Sequence, residues 1–225
     1  MVIEGDELYT KVNKNVPPSE SEGWTIALMD RASRFIWELT CDKKEEALFL
    51  EAMEQLVEVI ERTGDLTLVT DGERRYSALL FEICHELLRT GKRGKPKKVL
   101  KSGVKIRLKN KGSQSSKPGP KKEKYQAPKP EHPDTKQNIE HADIHANHKE
   151  AQNAAYRHKN SAYRRKTNTY AKCKKGLQRT LDLYWVIHNF VRKHFITREV
   201  PAVKIGILNS EITLEDIMTQ VELVS

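Results

Sequence analysis

The chain has 225 residues, 40 Lys/Arg against 31 Asp/Glu, and a formal net charge of +9 at pH 7. That length can bury a sizeable core in one domain with appendages. The three cysteines, Cys41, Cys84 and Cys173, are far apart and in no CxxC spacing, which argues against a disulfide framework or a cysteine zinc site and fits a reducing cytoplasm. The N-terminal MVIEGDELYT lacks the basic and apolar regions of a signal peptide, and no apolar run approaches bilayer length, so no membrane association is expected.

The charge is unevenly spread. Residues 1–90 carry a net −9, residues 91–136 +13, residues 137–196 +8 and residues 197–225 −3. An acidic first half followed by a strongly basic second half points to a polyanionic partner, with nucleic acid foremost.

In chain order, Val2–Tyr9 begins as a strand, with Asp6 and Glu7 along it or at its end. After a polar loop with Pro17-Pro18, Gly23–Met29 and Arg34–Leu39 pair as a β-hairpin about a turn at Asp30–Ser33. Residues 42–62 show the clearest helical pattern. Phe49, Met53, Leu56 and Ile60 form the stripe, Asp42 is the expected N-cap with Glu45 three residues on, and Gly64 suits the C-cap. Leu66–Thr70 is a short strand that runs straight into Asp71 and Gly72, and a helix is expected from about Arg75 to Leu88. A strand, an acidic residue, a tight turn and a helix form either a plain Asp-Gly turn or a site at the carboxyl end of a sheet.

A hairpin joined through a helix to a further strand predicts an α/β fold, a mixed sheet flanked by helices. In such a fold Asp6 and Asp71 can lie on neighbouring central strands, although 65 residues separate them.

Residues 91–136 hold 5 of the 11 glycines and 6 of the 9 prolines, with lysines throughout, Lys97 and Lys98 among them. This composition predicts a basic, partly disordered insertion, solvated or tracking a phosphate backbone; only 99–108 alternates like a strand. Residues 148–172 read as a helix. Glu150, Asn153 and Arg157 share one face, Tyr156, Tyr163 and Tyr170 form a second stripe expected to be mostly core, and Arg164, Arg165 and Lys166 are available for phosphates. Leu177–Phe195 is a last amphipathic helix, and Thr213 is the expected N-cap of a short helix in the tail. The organisation expected is therefore 1–90 and 141–196 as two parts of one core, 91–140 as an insertion and 197–225 as a tail.

Asp6, Asp71 and Glu150 stand out by context. Converging carboxylates are what Mg²⁺ requires, since it takes hard oxygen ligands and keeps several waters. His141 and His145 stand at i, i+4 spacing and with His148 admit a zinc reading, disfavoured because no fourth ligand or cysteine pair is near. Asp30 reads as a hairpin residue, and Glu7 and Glu73 as solvated or supporting.

Four stretches in order carry a resemblance: DELYT around Asp6, the pair GWTIALMD and RFIWEL, TDGERRY around Asp71, and HKEAQN from His148 to Asn153. Together they resemble the catalytic portion of bacterial insertion-sequence DDE transposases of the InsB type. YAK at Tyr170–Lys172, the KHF that ends the last long helix, and VPAVKIGIL with TLEDI resemble the C-terminal blocks of that family. The resemblance covers nearly the whole chain, most loosely over the basic insertion. It implies a ribonuclease-H-like fold and a catalytic, metal-binding triad of Asp6, Asp71 and Glu150 holding Mg²⁺ or Mn²⁺. It further implies metal-dependent hydrolysis of a DNA strand at a transposon end, followed by attack of the freed 3′-OH on target DNA. Asn153 and Arg157 would position DNA or the glutamate, with His148 and Gly72 in support and Arg164, Arg165, Lys166, Lys97 and Lys98 on DNA. The implied partners are transposon-end and target DNA, a second copy of the chain on that DNA, and an N-terminal DNA-binding region supplied separately or by frameshift fusion, since only five residues precede Asp6. A ribonuclease-H-like structure-specific nuclease and a non-catalytic, domesticated nucleic-acid-binding remnant are the alternatives.

Overall fold

In a computed structural model the described residues are 1–13, 16–89, 91, 94–109, 125–136, 144–145, 147–164 and 169–222. The elements run β1 (Val2–Tyr9), β2 (Trp24–Asp30), β3 (Ile36–Asp42), α1 (Glu46–Thr63), β4 (Leu66–Thr70), α2 (Arg74–Ile83), β5 (His85–Leu88), β6 (Lys97–Leu100), β7 (Val104–Lys109), β8 (Tyr125–Gln126), α3 (Asn147–Lys159), α4 (Lys174–Val186), α5 (Pro201–Lys204) and α6 (Leu214–Glu222). A six-stranded sheet has the order β3-β2-β1-β4-β7-β8. β2 is antiparallel to β1 and β3, β4 is parallel to β1, β7 is parallel to β4, and β8 closes antiparallel on β7. The chain is thus α/β, with a mixed sheet flanked by helices.

Two apolar clusters cover the two faces of the sheet. On one, Ile3, Ile26, Leu28, Leu66 and Leu68 meet α1 through Phe49, Met53 and Leu56, and α2 through Tyr76 and Leu80. On the other, Leu8, Ala27, Met29 and Leu39 meet Tyr156 of α3, Tyr163, and Leu177 and Leu181 of α4. Alternation along β1 decides which layer each residue serves: Ile3 faces the α1 layer, and Leu8 the α3 layer.

Helix α4 also covers the edge of the sheet. Gln178 accepts from the Cys41 N–H (2.8 Å) and donates to the Leu39 carbonyl (3.1 Å). Just past α4, Asn189 accepts from the Ile36 N–H and donates to the Ile36 carbonyl, both at 2.9 Å. Two side-chain amides thus stand in for a neighbouring strand along β3, satisfying backbone groups that an open edge would offer to another chain.

Several elements depart from the sequence pattern. The segment 91–140, expected as an insertion with one strand-like stretch at 99–108, does form strand there, but as β7 it joins the central sheet, and β6 makes an antiparallel ribbon with β5. Val104 and Ile106 are buried in the main core, and that burial outweighs the glycine- and lysine-rich surroundings. Its low-complexity part, 110–124, lies outside the described residues. The expected helix 75–88 stops at Ile83, because His85–Leu88 pairs with Lys97–Leu100. Asp42 is the last residue of β3 and not a helix cap. Its carboxylate takes the Lys43 N–H and Lys174, and Glu45 stands at the N-cap of α1. Helix 148–172 is shorter, ending at Lys159; of its three tyrosines Tyr156 and Tyr163 are buried and Tyr170 is half-buried.

Two glycines permit backbone geometry that other residues resist. Gly64 ends α1 at φ +64° in open space, whereas Gly103 (φ +87°) approaches so closely that a Cβ would lie 2.1 Å from the Gly64 carbonyl oxygen. Gly103→Ala is expected to cost about 2 kcal/mol or more, from left-handed strain plus the clash, and Gly64→Ala about 1 kcal/mol. Urea unfolding of the two variants checks the order.

Candidate metal-binding and nucleic-acid site

Gly5 of β1 stands opposite Thr70, the last residue of β4. Asp6, the next residue of β1 and still paired with β2, therefore stands beside Asp71, the first residue past the carboxyl end of β4, where the parallel pairing of the two strands stops. Asp6, Glu7 and Asp71 form a group whose carboxylate oxygens all lie within 4.8 Å of one another. Gly72 follows at φ +103°, a conformation that L side chains rarely adopt, and turns the chain away into α2.

The surroundings hold this group from both layers. On the α3 side the Asn153 side-chain amide donates to Asp6 Oδ2, and the Glu7 N–H donates to Asp6 Oδ1 at 2.9 Å. On the α1 side Lys44 Nζ lies 3.1 Å from Glu7 and 3.5 Å from Glu73. Burial pushes the Glu7 carboxyl above its ordinary pKa, with Lys44 opposing the shift. Arg75 beside Glu73 holds that carboxyl down at about 2. The buried Tyr76 hydroxyl is pushed well above its usual range, first by burial and then by the charges of Glu7, Asp6 and Asp71.

Behind Asp6 lies a second polar cluster. Glu4 is 0 % exposed. It accepts from Arg31 Nε at 2.7 Å and from the Lys149 backbone N–H at 2.8 Å, and it meets His148 Nδ1 at 2.9 Å. Arg31 reaches on to the His145 carbonyl at 2.6 Å. Glu4, His145 and His148 have ligand-type atoms within 4.8 Å of one another. The guanidinium already on Glu4 makes this a hydrogen-bonded lock, because a metal would have to displace a cation from a carboxylate with no water around it. His141 of the zinc reading lies outside the described residues.

Lys149 is the least expected side chain here. It is 0 % exposed, its Nζ has no hydrogen-bond partner among the described residues, and the Tyr156 ring lies 5.5 Å away. Burial pulls its pKa down to about 8, against the opposing pull of Asp6 and Glu4.

Asp6 and Asp71 come together, Asn153 touches Asp6, and His148 touches Glu4. Glu150 is exposed on the first turn of α3, one helical turn before Asn153, and is not a member of the acidic group. Arg157 and Arg164 line a cleft of about 450 Å³ shared with Glu7. Lys97 and Lys98 are exposed on the β5–β6 ribbon, and Arg165 and Lys166 lie outside the described residues. Glu7, read from the sequence as solvated or supporting, stands in the acidic group itself, and Glu4, Lys44 and Lys149 carry no signal in the sequence. Glu7 and Glu4 stand in the same strand as Asp6, but nothing in a strand pattern separates a structural carboxylate from a ligand. No family model matches the chain, and no curated protein matches it.

The acidic group suits a hard divalent cation, since its donors are carboxylate oxygens converging at one open edge. Lys149 yields a measurable consequence. Its folded pKa is lowered below the unfolded value, so the cost of burying its charge is present in full below about pH 8 and vanishes as pH rises past the ordinary lysine range. Lys149→Met is therefore expected to stabilise the fold at pH 7, by on the order of 1–3 kcal/mol, and the gain to shrink toward zero near pH 10.5. Paired urea titrations across that range check it.

Proposed function

We propose that this chain is a DDE-type transposase, catalysing metal-dependent DNA strand cleavage and strand transfer on a ribonuclease-H-like core. The observation that carries the reading is the meeting of Asp6, within β1, and Asp71, just past the end of the adjacent parallel strand β4, with Asn153 of α3 on Asp6. The sheet order β3-β2-β1-β4-β7, with an antiparallel hairpin leading into parallel strands, supports the ribonuclease-H-like assignment. The DELYT, TDGERRY and HKEAQN stretches fall on β1, on the β4–α2 junction and on α3, the three elements that build the site.

In this reading Asp6 and Asp71 hold Mg²⁺ or Mn²⁺, with Glu150 the third carboxylate by resemblance. The ions would activate an attacking oxygen and stabilise the leaving one in phosphoryl transfer. The chain's own groups do the positioning. Asn153 fixes the rotamer of Asp6, Lys44 holds Glu7 on the opposite layer, and Arg157 and Arg164 offer charge to the phosphates of the strand. The first reaction adds water across a phosphodiester and releases a 3′-OH; the second exchanges that hydroxyl for a bridging oxygen of target DNA.

The test is Mn²⁺-dependent nicking of supercoiled plasmid, followed by strand transfer with element-end DNA. Asp6→Asn and Asp71→Asn are expected to lower the rate about a thousandfold or more. Asn153→Ala is expected to cost about 10- to 100-fold, as the loss of a group that orients a ligand does. Glu150→Gln should fall as far as Asp71→Asn, and Glu7→Gln less; the reverse order would make Glu7 the third ligand. Full activity of Asp71→Asn sinks the reading. Cutting confined to branched DNA would favour a structure-specific nuclease, and salt-sensitive binding with no cutting a binding protein.

A further inference from the structure

Beside the acidic group, and sharing Glu7 with it, lies the cleft of about 450 Å³ between β1 and the segment after α3. Its walls differ in chemistry from the acidic edge. Tyr9, Trp24 and Tyr170 give it three half-buried rings, and Arg157 and Arg164 give it two guanidiniums. We propose that this cleft holds an unpaired nucleotide of a DNA strand, its base against the rings and its phosphate on the arginines, so that the neighbouring phosphodiester lies at the acidic group. The proposal deepens the nuclease reading, but the binding it describes stands without catalysis.

The first argument is complementarity. A volume of about 450 Å³ falls in the range of small-ligand sites and suits one nucleotide rather than a duplex. The faces of bases in a duplex are covered by their neighbours. Aromatic side chains gain base contact only when a base is unstacked, and each such contact is worth about 1–3 kcal/mol. A surface serving only duplex phosphates needs the arginines and has no use for the rings.

The second argument is preorganisation. The Trp24 indole N–H donates to the Pro18 carbonyl at 2.6 Å, its ring packs 5.0 Å from that of Tyr9, and Lys44 Nζ sits 4.3 Å from its centroid. Lys44 is the same cation that holds Glu7. Below, the buried Tyr163 hydroxyl is hydrogen-bonded to Thr25 of β2. Tyr170 carries Lys172 at 4.9 Å from its ring. The rings are thus held before any ligand arrives, which lowers the entropy that binding must overcome.

The test uses the full chain in EDTA, so that no cleavage intervenes. Fluorescein-labelled (dT)₂₀ and a 20-bp duplex are titrated by anisotropy at fixed salt, with circular dichroism melts to check that each variant is folded. Wild type is expected to bind (dT)₂₀ at least about tenfold more tightly than the duplex. Tyr170→Ala and Trp24→Ala should each weaken (dT)₂₀ binding about 5- to 100-fold with little change in salt slope. Arg164→Ala should weaken it and reduce the salt slope by about one. A (dT)₂₀ carrying abasic sites should bind like the ring variants. Lys97→Ala with Lys98→Ala should leave the single-strand preference intact. Equal affinity for duplex, or folded Tyr170→Ala and Trp24→Ala proteins that bind (dT)₂₀ as wild type does, overturns the proposal. Wild type that shows this single-strand preference in EDTA but never nicks plasmid with Mn²⁺ would fail the nuclease reading and keep this one.

Discussion

A carboxylate that no water reaches sets the geometry of this molecule. Glu4 sits in the central strand β1, two residues before Asp6 and on the same face. Burying its charge is costly, and the cost is offset only because Arg31, His148 and the Lys149 N–H all converge on it. The last of these is a backbone group in the first turn of α3, where N–H groups have no partner within the helix. Glu4 therefore caps a helix 145 residues away in sequence and fixes where that helix begins on the sheet. Asn153, one turn further along α3, then falls on Asp6. The register between β1 and α3, and with it the shape of the acidic edge, follows from that one buried anion.

The charges around the edge balance in layers. The three carboxylates of the acidic group repel one another, and the cations nearest them come from opposite faces of the sheet. Lys44 lies on the α1 side against Glu7, and the buried Lys149 lies on the α3 side, within the fields of Asp6 and Glu4. Lys149 is held where its charge is disfavoured, which a protein selected only for stability would avoid. There its ammonium offsets part of the charge of those two carboxylates.

Much of this was legible in the sequence, for reasons particular to each element. The α1 stripe of Phe49, Met53, Leu56 and Ile60 shows because a helix packed on a sheet on one side must be apolar on that side. The hairpin β2–β3 and the Leu66–Asp71 strand end show because short apolar runs are punctuated by Asp, Ser and Gly. The adjacency of Asp6 and Asp71 could be raised from the order of elements, but only the register Gly5–Thr70 brings them together. The strand itself showed as the alternation over 99–108, but its place in the central sheet was obscured, because it sits among glycines and lysines and its parallel partner β4 lies more than 30 residues back. The roles of Glu4 and Lys149 were not readable at all. A charged residue in a strand or helix reads as solvated until the layer packed over it is known, and that layer comes from the far end of the chain.

The division of charge along the chain acquires a spatial meaning at the cleft. The first 90 residues carry −9, residues 137–196 carry +8, and their elements meet across the sheet. Tyr9, Trp24 and Glu7 come from the acidic half, Arg157, Arg164 and Tyr170 from the basic half. The acidic half builds an edge where carboxylates converge, which by itself repels a phosphate backbone. The basic half closes over one face of the sheet and places two arginines beside that edge. Guanidiniums from the second half and carboxylates from the first thus stand side by side at one end of the sheet. Glu7 belongs to both, as a member of the acidic group and a wall of the cleft. Its link to Lys44, which also lies against Trp24, gathers that ring and the carboxylate beside Asp6 around one cation. One ammonium therefore serves two neighbours, as counter-charge to the carboxylate and as a cation over the ring, and its position is set by both.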